Sequence, residues 1–333
     1  MRGRDMPLIL RWGIGLVAFL VLVALAAPLL APYDPNEQVD PAAGGFRPPG
    51  TVLPAVHLAA GGWRLADRVE RTTEGLRLER LGRVEELPAS AVLNLTADGV
   101  ADSRRYVLGS DLFGRDILSR MLYGARVSLA VGLTAVAFAL LLGVAAGSAA
   151  AVGGRIVDAV LMRTVDALLS FPWIFLAILL AAFFRPDTVT LVLLLGGSSW
   201  MGISRLTRAE LLTLKEREFV LAARSIGQRP VVILLRHLLP NALTPVLIQS
   251  TLLVANLILV ESSLSFLGLG IQPPTASWGN MIATGRDVLS HAWWVAVFPG
   301  MALAVAVIAF NLVGEGLRDA LDPRTRMAAT REP

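Results

Sequence analysis

Six runs of apolar residues, separated by charged or proline-rich segments, dominate the chain. A helix that crosses a membrane needs about 20 mostly apolar residues. The runs Trp12–Ala31, Arg126–Ala151, Ala167–Phe184, Thr188–Ile203, Leu243–Leu259 and His291–Val313 read as such helices, the fourth being short. Gly, Ala and Ser crowd the second run, which suits close helix–helix approach. Pro172 predicts a kink near the start of the third. Trp293 and Trp294 stand at one edge of the sixth, as an aromatic belt would. The first run carries no internal charge and follows Arg2, Arg4 and Arg11. Ala24–Ala26 resembles a signal-peptide cleavage site, but such peptides have an apolar region of about 7–15 residues, so this longer run reads as a retained anchor.

The polar segments differ among themselves. Residues 32–106 form an insert after the first span. Its start, "PYDPNEQVDPAAGGFRPPG", is rich in Pro and Gly and reads as a linker without regular helix. The following "GWRLADRVERTTEGLRLERLGRVEEL" alternates partly at period two, with "TTEG" as a turn, and predicts a small β-hairpin. Asn94-Leu95-Thr96 matches a glycosylation triplet, a pattern that also arises by chance. The insert is either an extracytoplasmic spacer or a contact for a soluble partner.

Composition agrees with the spans. The 333 residues are 55% hydrophobic and 17% charged, against about 25% charged in ordinary soluble domains. The mean hydropathy is +0.63. There are no cysteines, which excludes disulfide scaffolds, thiolate metal sites and thiol nucleophiles. The net charge of +4 is basic, and its placement is informative. With the N-terminus inside, the inner segments hold sixteen Lys and Arg residues, while the short outer loops hold only Arg185 and Arg286. That asymmetry predicts both termini in the cytoplasm. It also accounts for the basic balance without nucleic acid.

Catalytic patterns are missing. The sequence holds no G-x-x-x-x-G-K-[ST] phosphate loop, no H-E-x-x-H and no G-x-S-x-G, and His57, His237 and His291 stand far apart. No catalytic residue and no metal site is expected. Uphill transport would therefore draw its energy from another chain or from an ion gradient.

The longest inner loop, residues 205–240, is too charged to span and too regular for a slack linker. Phe219, Ala222, Ala223 and Ile226 recur at i, i+3, i+4 and i+7, one face of a helix. Gly227 stands where a helix end favours a left-handed residue. Pro230 suits the first turn of a second helix, Val231–Leu238, which Pro240 closes. Such a helix–Gly–helix hook can lie in a groove on a partner. It can equally rest on headgroups through Arg217, Arg224 and Arg229.

The order Ala222-Ala223-x3-Gly227-x9-His237-x-Leu239-Pro240 resembles the "EAA" loop of permease subunits of bacterial ABC importers. Leu221 departs from the family's Glu, and His237 from its usual Ile. "LGSDLFGRDILSRMLYGARVSL" (108–129), "RHLLPN" (236–241), "ESSLSFLGLGIQPPTASWGNMI" (261–282) and "NLVGEGLRDALDPR" (311–324) narrow the likeness to the second permease of dipeptide, oligopeptide and nickel importers. The resemblance implies an all-α polytopic membrane protein of the type I ABC importer permease fold, in the bacterial cell (inner) membrane. It divides the chain into a cytoplasmic N-terminus with the first helix (1–31), the insert (32–106), an interfacial amphipathic segment (107–126), a permease core (127–316) and a cytoplasmic tail (317–333). It implies a second permease of similar fold, two ABC ATPase subunits that carry ATP and Mg2+, and an external substrate-binding protein. The coupling residues would be Phe219, Leu221, Ala222, Ala223, Arg224, Ile226, Gly227, His237, Leu239 and Pro240.

Three further groups are candidates. Glu261 is the only acid between 241 and 274, and a charge at mid-bilayer costs about 2.5–3.5 kcal/mol on insertion scales. With Asn256, Ser262 and Ser265 it is a candidate for the translocation pathway; hydrogen bonding of Glu261 to its serine neighbours is the plainer role. Asp111, Arg115, Asp116 and Arg120 are read onto one interfacial helix, where they either pair locally or meet the binding protein. The expected function is one half of the pore of an ATP-driven importer of peptides. A secondary transporter driven by an ion gradient is the rival; such proteins often show internal repeats, and none is visible.

Overall fold

The computed structural model describes residues 6–93, 102–173, 175, 179 and 187–321. The chain divides into two compact units: residues 1–21, 128–272 and 303–333 in one, and 22–127 and 273–302 in the other.

Among the described residues, five helical stretches are long and apolar enough to cross a membrane: Leu8–Leu25, Ile117–Val152, Thr188–Lys215, Pro230–Phe266 and Trp294–Leu321. These correspond to five of the six predicted runs. Half of the remaining one, Ala167–Phe184, lies outside the described residues. Its first residues end a separate amphipathic helix that the apolar pattern did not single out.

The helices are α1 (Leu8–Leu25), α2 (Ala27–Leu30), α3 (Pro41–Gly44), α4 (Ile117–Val152), α5 (Gly154–Leu169), α6 (Thr188–Lys215), α7 (Glu218–Ser225), α8 (Pro230–Ile233), α9 (Leu239–Phe266), α10 (Trp278–Arg286) and α11 (Trp294–Leu321). Four of them, α4, α6, α9 and α11, extend beyond their predicted spans. The predicted short fourth span is the first half of α6, which continues to Lys215, so the expected loop begins about three helical turns later. Asp158 and Asp166 of α5 pair with Arg208 and Arg205 on this extension, which keeps its charges from standing alone.

Small residues set the packing of the span-bearing unit. On α4, Gly143 and Gly147 lie one turn apart and face α6. A Cβ on Gly143 would sit 2.6 Å from Ile203 Cβ, and one on Gly147 would sit 2.5 Å from the Ser204 carbonyl oxygen. Only glycine allows this approach, as expected where lipid supplies no hydrophobic drive between helices. A second contact of this kind joins α1 to α11, where Gly316 lies against Leu10.

The other unit holds six strands among the described residues, so an all-α description applies to the spans alone. The strands are β1 (Thr51–His57), β2 (Trp63–Leu65), β3 (Arg68–Arg71), β4 (Gly75–Arg80), β5 (Arg83–Pro88) and β6 (Asp102–Tyr106). They form two antiparallel sheets in the orders β2-β1-β6 and β3-β4-β5. The predicted hairpin is β3–β4, with Arg71 opposite Leu76 across the "TTEG" turn. In β4, buried Leu76 and Leu78 alternate with exposed Arg77 and Glu79, the pattern of a half-covered sheet. The proline-rich stretch before β1 is no slack linker: Val39 and Ala43 are buried with Leu53, Ala55, Leu65 and Tyr106. Its prolines limit helix to the single turn α3, yet the turn packs. Asn94-Leu95-Thr96 lies outside the described residues.

Candidate coupling hook and transport path

The hook is built by two local devices. Helix α7 starts from extended Arg217 and ends in a left-handed Gly227, φ +78°. The Gly227 N–H donates to the Arg224 carbonyl at 2.9 Å, and the Gln228 N–H to the Ala223 carbonyl at 3.2 Å. This paired closure is the Schellman ending, and a Cβ-bearing residue at 227 would be strained there. Glu218 in the first turn and Arg224 in the last oppose the helix dipole.

Pro230 then opens α8, as expected. Pro240 does not close the second helix, however. A π turn over Leu234–Leu238 carries the chain directly into α9, with the Leu239 N–H donating to the Leu234 carbonyl. Proline at 240 cannot donate to the preceding turn, and the wider π turn accommodates that loss. The second helix of the hook and the span α9 are therefore one helical run from Pro230 to Phe266.

Burial divides the predicted stripe. Of its four members only Ala223 turns inward, and with Val220, which the stripe did not include, it packs against Ala151, Leu211, Ile233, Leu238 and Ala242. Phe219, Leu221, Ala222, Arg224 and Ile226 point outward. Ile226, 75% exposed, is the most exposed apolar side chain of the group. His237 and Gln228 lie 3.0 Å apart, Nε2 to Oε1, across the base of the hook. Gln228 was not singled out in the sequence; a polar residue after a helix-ending glycine is too common to signal a contact. Leu239 is half-buried and Pro240 exposed.

Glu261 is fully buried in the same unit. Ser265 donates to its Oε1 at 2.8 Å, and Ser128 and Ser262 to its Oε2 at 3.4 Å each. Ser265 Oγ also accepts from the Ile271 N–H at 3.3 Å, tying the chain after α9 to this cluster. Glu261, Ser262 and Ser265 are thus brought together on the inward face. Asn256 stands apart from them, on the exposed face of α9.

Asp111, Arg115, Asp116 and Arg120 gather in the sheet-bearing unit, all four buried. They do not share one helix. Asp111 to Asp116 precede α4 as a tight turn, because the Asp111 carboxylate captures local backbone. Its Oδ1 accepts from the N–H groups of Phe113 at 2.9 Å and Arg115 at 3.1 Å. Its Oδ2 accepts from Arg115 Nε at 2.6 Å, with Arg120 Nε at 3.7 Å. Asp116 caps α4 by accepting from Ser119 N–H at 2.7 Å and Ser119 Oγ at 2.8 Å. Burial pushes the Asp116 carboxyl above its ordinary value, against the pull of the Ser119 hydrogen bonds and of Arg104. Among the described residues there is no cluster of three or more His, Cys, Asp or Glu side chains able to hold a metal ion.

Residues 129–327 match the family described as binding-protein-dependent transport system inner membrane component. The chain belongs to that family. Residues 11–49 also match the N-terminal TM domain of oligopeptide transport permease C. A di/tripeptide transport system permease protein from Pseudomonas aeruginosa is 34% identical over 317 residues, covering 95% of this chain and 88% of that one. A putative peptide transport system permease protein from Brucella abortus is 46% identical over 222 residues, 67% of this chain and 75% of the relative. Among solved structures, an inward facing conformation of the MetNI methionine ABC transporter matches with a TM-score of 0.52 at 18% identity, covering 62% of this chain and 98% of that chain. That likeness is one of fold. The chain is thus an ABC importer permease of the type I fold, a membrane component of a transporter.

Proposed function

We propose that this permease forms one half of a transmembrane path for peptides, paired with a second permease of similar fold. Two ABC ATPases bind ATP and Mg2+ and drive it, and a soluble binding protein delivers the cargo. The peptide assignment is supported by relatives named as peptide permeases over most of the chain. The observation that carries the coupling role is the helical run from Pro230 to Phe266. A push on the exposed ridge of Phe219, Ala222 and Ile226 passes through the hook into a spanning helix with no slack loop between. The small Ala222 keeps that ridge shallow enough for a partner backbone to approach.

On this reading the chain hydrolyses nothing itself and binds no cofactor. It sits in the bacterial inner membrane with both termini and the hook in the cytoplasm, in keeping with the distribution of Arg. The insert faces the binding protein. Asp111, Arg115, Asp116 and Arg120 serve that contact as a buried brace beneath it, not as its touching surface. Glu261, Ser262 and Ser265 act on the path by holding the outer end of α9 in place.

The test is reconstitution of the complex in vesicles, with ATP-dependent uptake of a labelled tripeptide as the readout. Ala222→Trp is expected to abolish co-purification of the ATPases and uptake, while the two permeases still assemble. Gly227→Val should do the same by distorting the hook. Uptake by the permeases alone, driven by a proton gradient, would replace this reading with a secondary transporter.

A further inference from the structure

The helix α9 buries one face and leaves another uncovered. The buried face carries Val254, Leu257, Ile258, Glu261, Leu264 and Ser265. The uncovered face carries Gln249, Asn256 and Ser263, each exposed. These three recur at i, i+7 and i+14, and seven residues are close to two turns of helix. They therefore form a straight polar stripe along a spanning helix, about 10 Å from each member to the next at 1.5 Å per residue. Leu252, Leu253, Leu259 and Val260 flank it.

The side chains of the stripe are unevenly satisfied. Ser263 Oγ donates to the Leu259 carbonyl at 2.8 Å, so its hydroxyl is served by its own helix. The amides of Gln249 and Asn256 have no side-chain hydrogen bond to any described residue. Facing hydrocarbon, each amide would lose its hydrogen bonds to water without replacement. Polar side chains in spans accordingly face a water-filled cavity or another helix. An amide offers both a donor and an acceptor, which is the complement of a peptide bond. It carries no charge, so it does not select among cargo side chains.

We infer that Gln249, Asn256 and Ser263 line the aqueous path and offer successive hydrogen-bonding stations to the backbone of the passing peptide. This deepens the peptide-permease reading and rests on it. The stripe lies on the helix into which the hook runs without a break. Movement of the hook by the ATPases therefore shifts or turns the stations themselves. Glu261 is set on the buried face, so the one acid of the span shapes the path without presenting a charge to the cargo. Sequence alone pointed to Glu261 and Asn256 together; exposure separates them and adds Gln249 and Ser263.

The absence of cysteine makes the test direct. Gln249→Cys, Asn256→Cys and Ser263→Cys are each introduced into the complete complex in vesicles and treated with a charged, water-soluble methanethiosulfonate. Leu247→Cys is the control, since Leu247 is exposed on the opposite side of α9 in an apolar groove with Val136, Leu140 and Phe310. The reactive species is the thiolate, which apolar surroundings suppress, so the stripe cysteines should label at least about tenfold faster than the control. Trialanine with binding protein and ATP should slow the labelling of Asn256→Cys. Labelling of all three at the control rate would overturn the inference. So would a disulfide between Asn256→Cys and a cysteine on the partner permease in every nucleotide state, which would make the stripe a subunit seam. ATP-dependent uptake is measured in the same vesicles. Uptake with inert stripe cysteines defeats the stripe alone, whereas no uptake by the unmodified complex defeats the permease reading.

Discussion

The two units bury polar groups in opposite ways. In the sheet-bearing unit the interior is crossed by ion pairs. Asp40 meets Arg80 at 2.7 Å, Asp111 meets Arg115 at 2.6 Å, and Glu37 meets Arg104 at 2.8 Å. In the span-bearing unit, the ion pairs joining α5 to α6 are partly exposed. The buried Glu261 is served there by serine hydroxyls, and glycines bring the helices together. The difference follows from the solvent each unit is built for. A small sheet assembly has little apolar core, so arginine forks fix its loops. Spans in lipid cannot gain from the hydrophobic effect, so close contact of small residues and neutral hydrogen bonds take over.

The largest effect should come from cutting an ion pair in the sheet-bearing unit. Asp111→Ala leaves Arg115 and Arg120 buried without their shared carboxylate, and breaking such a pair costs about 3–5 kcal/mol. Thermal unfolding in detergent should show that unit melting early while the helical signal of the spans persists. If the whole chain melts together, the two units do not differ in the way described.

A smaller loss is expected from Gly147→Leu. The added side chain meets the Ser204 carbonyl and Thr207, and overpacking of this kind costs about 1–3 kcal/mol. Its signature is the reverse one: helix-span stability and detergent tolerance fall while the sheet unit is unchanged. Unaltered span stability would mean that small-residue contact is not what joins α4 to α6.

The smallest effect concerns Asp116. Asp116→Ala removes the α4 cap at a cost of about 1 kcal/mol, whereas Asp116→Asn retains an acceptor for Ser119. The native carboxyl is raised by burial, so the folded state holds its proton more tightly than the unfolded state. That contribution to stability is full below the ordinary carboxylate value and is lost as pH rises through the folded value. Asp116→Asn should therefore gain on the native protein as pH rises across that window. A pH-independent difference between the two in denaturant titrations would remove the buried charge from the account.

Much of this was legible along the chain. The apolar runs Trp12–Ala31, Arg126–Ala151 and His291–Val313 stand out because each is long and free of charge inside, and each lies largely within one of the helices Leu8–Leu25, Ile117–Val152 and Trp294–Leu321. Gly227 and Pro230 mark the hook because each is demanded by one backbone position. Three things were not legible. The stretch 205–215 looks like a charged loop, yet continues α6, because Asp158 and Asp166 on a neighbouring helix pair with Arg208 and Arg205. Asp111 and Arg115 look like an i, i+4 helical pair, yet sit in a turn, because the carboxylate bonds the backbone N–H groups that a helix would use. Gln249 looks like an isolated polar residue, since nothing local says that it shares an exposed face with Asn256.

The sequence by itself determined where the chain can cross a membrane, which segment forms the hook and which family the chain joins. Each of these depends on local composition or on residues close together along the chain. Only the tertiary structure decided which polar groups are sealed and which are left uncovered. Glu261 and Asn256 are five residues apart on one helix, and neighbouring helices cover the first and leave the second bare. That choice depends on which residues from distant segments arrive against each face, a quantity that no single stretch of sequence contains.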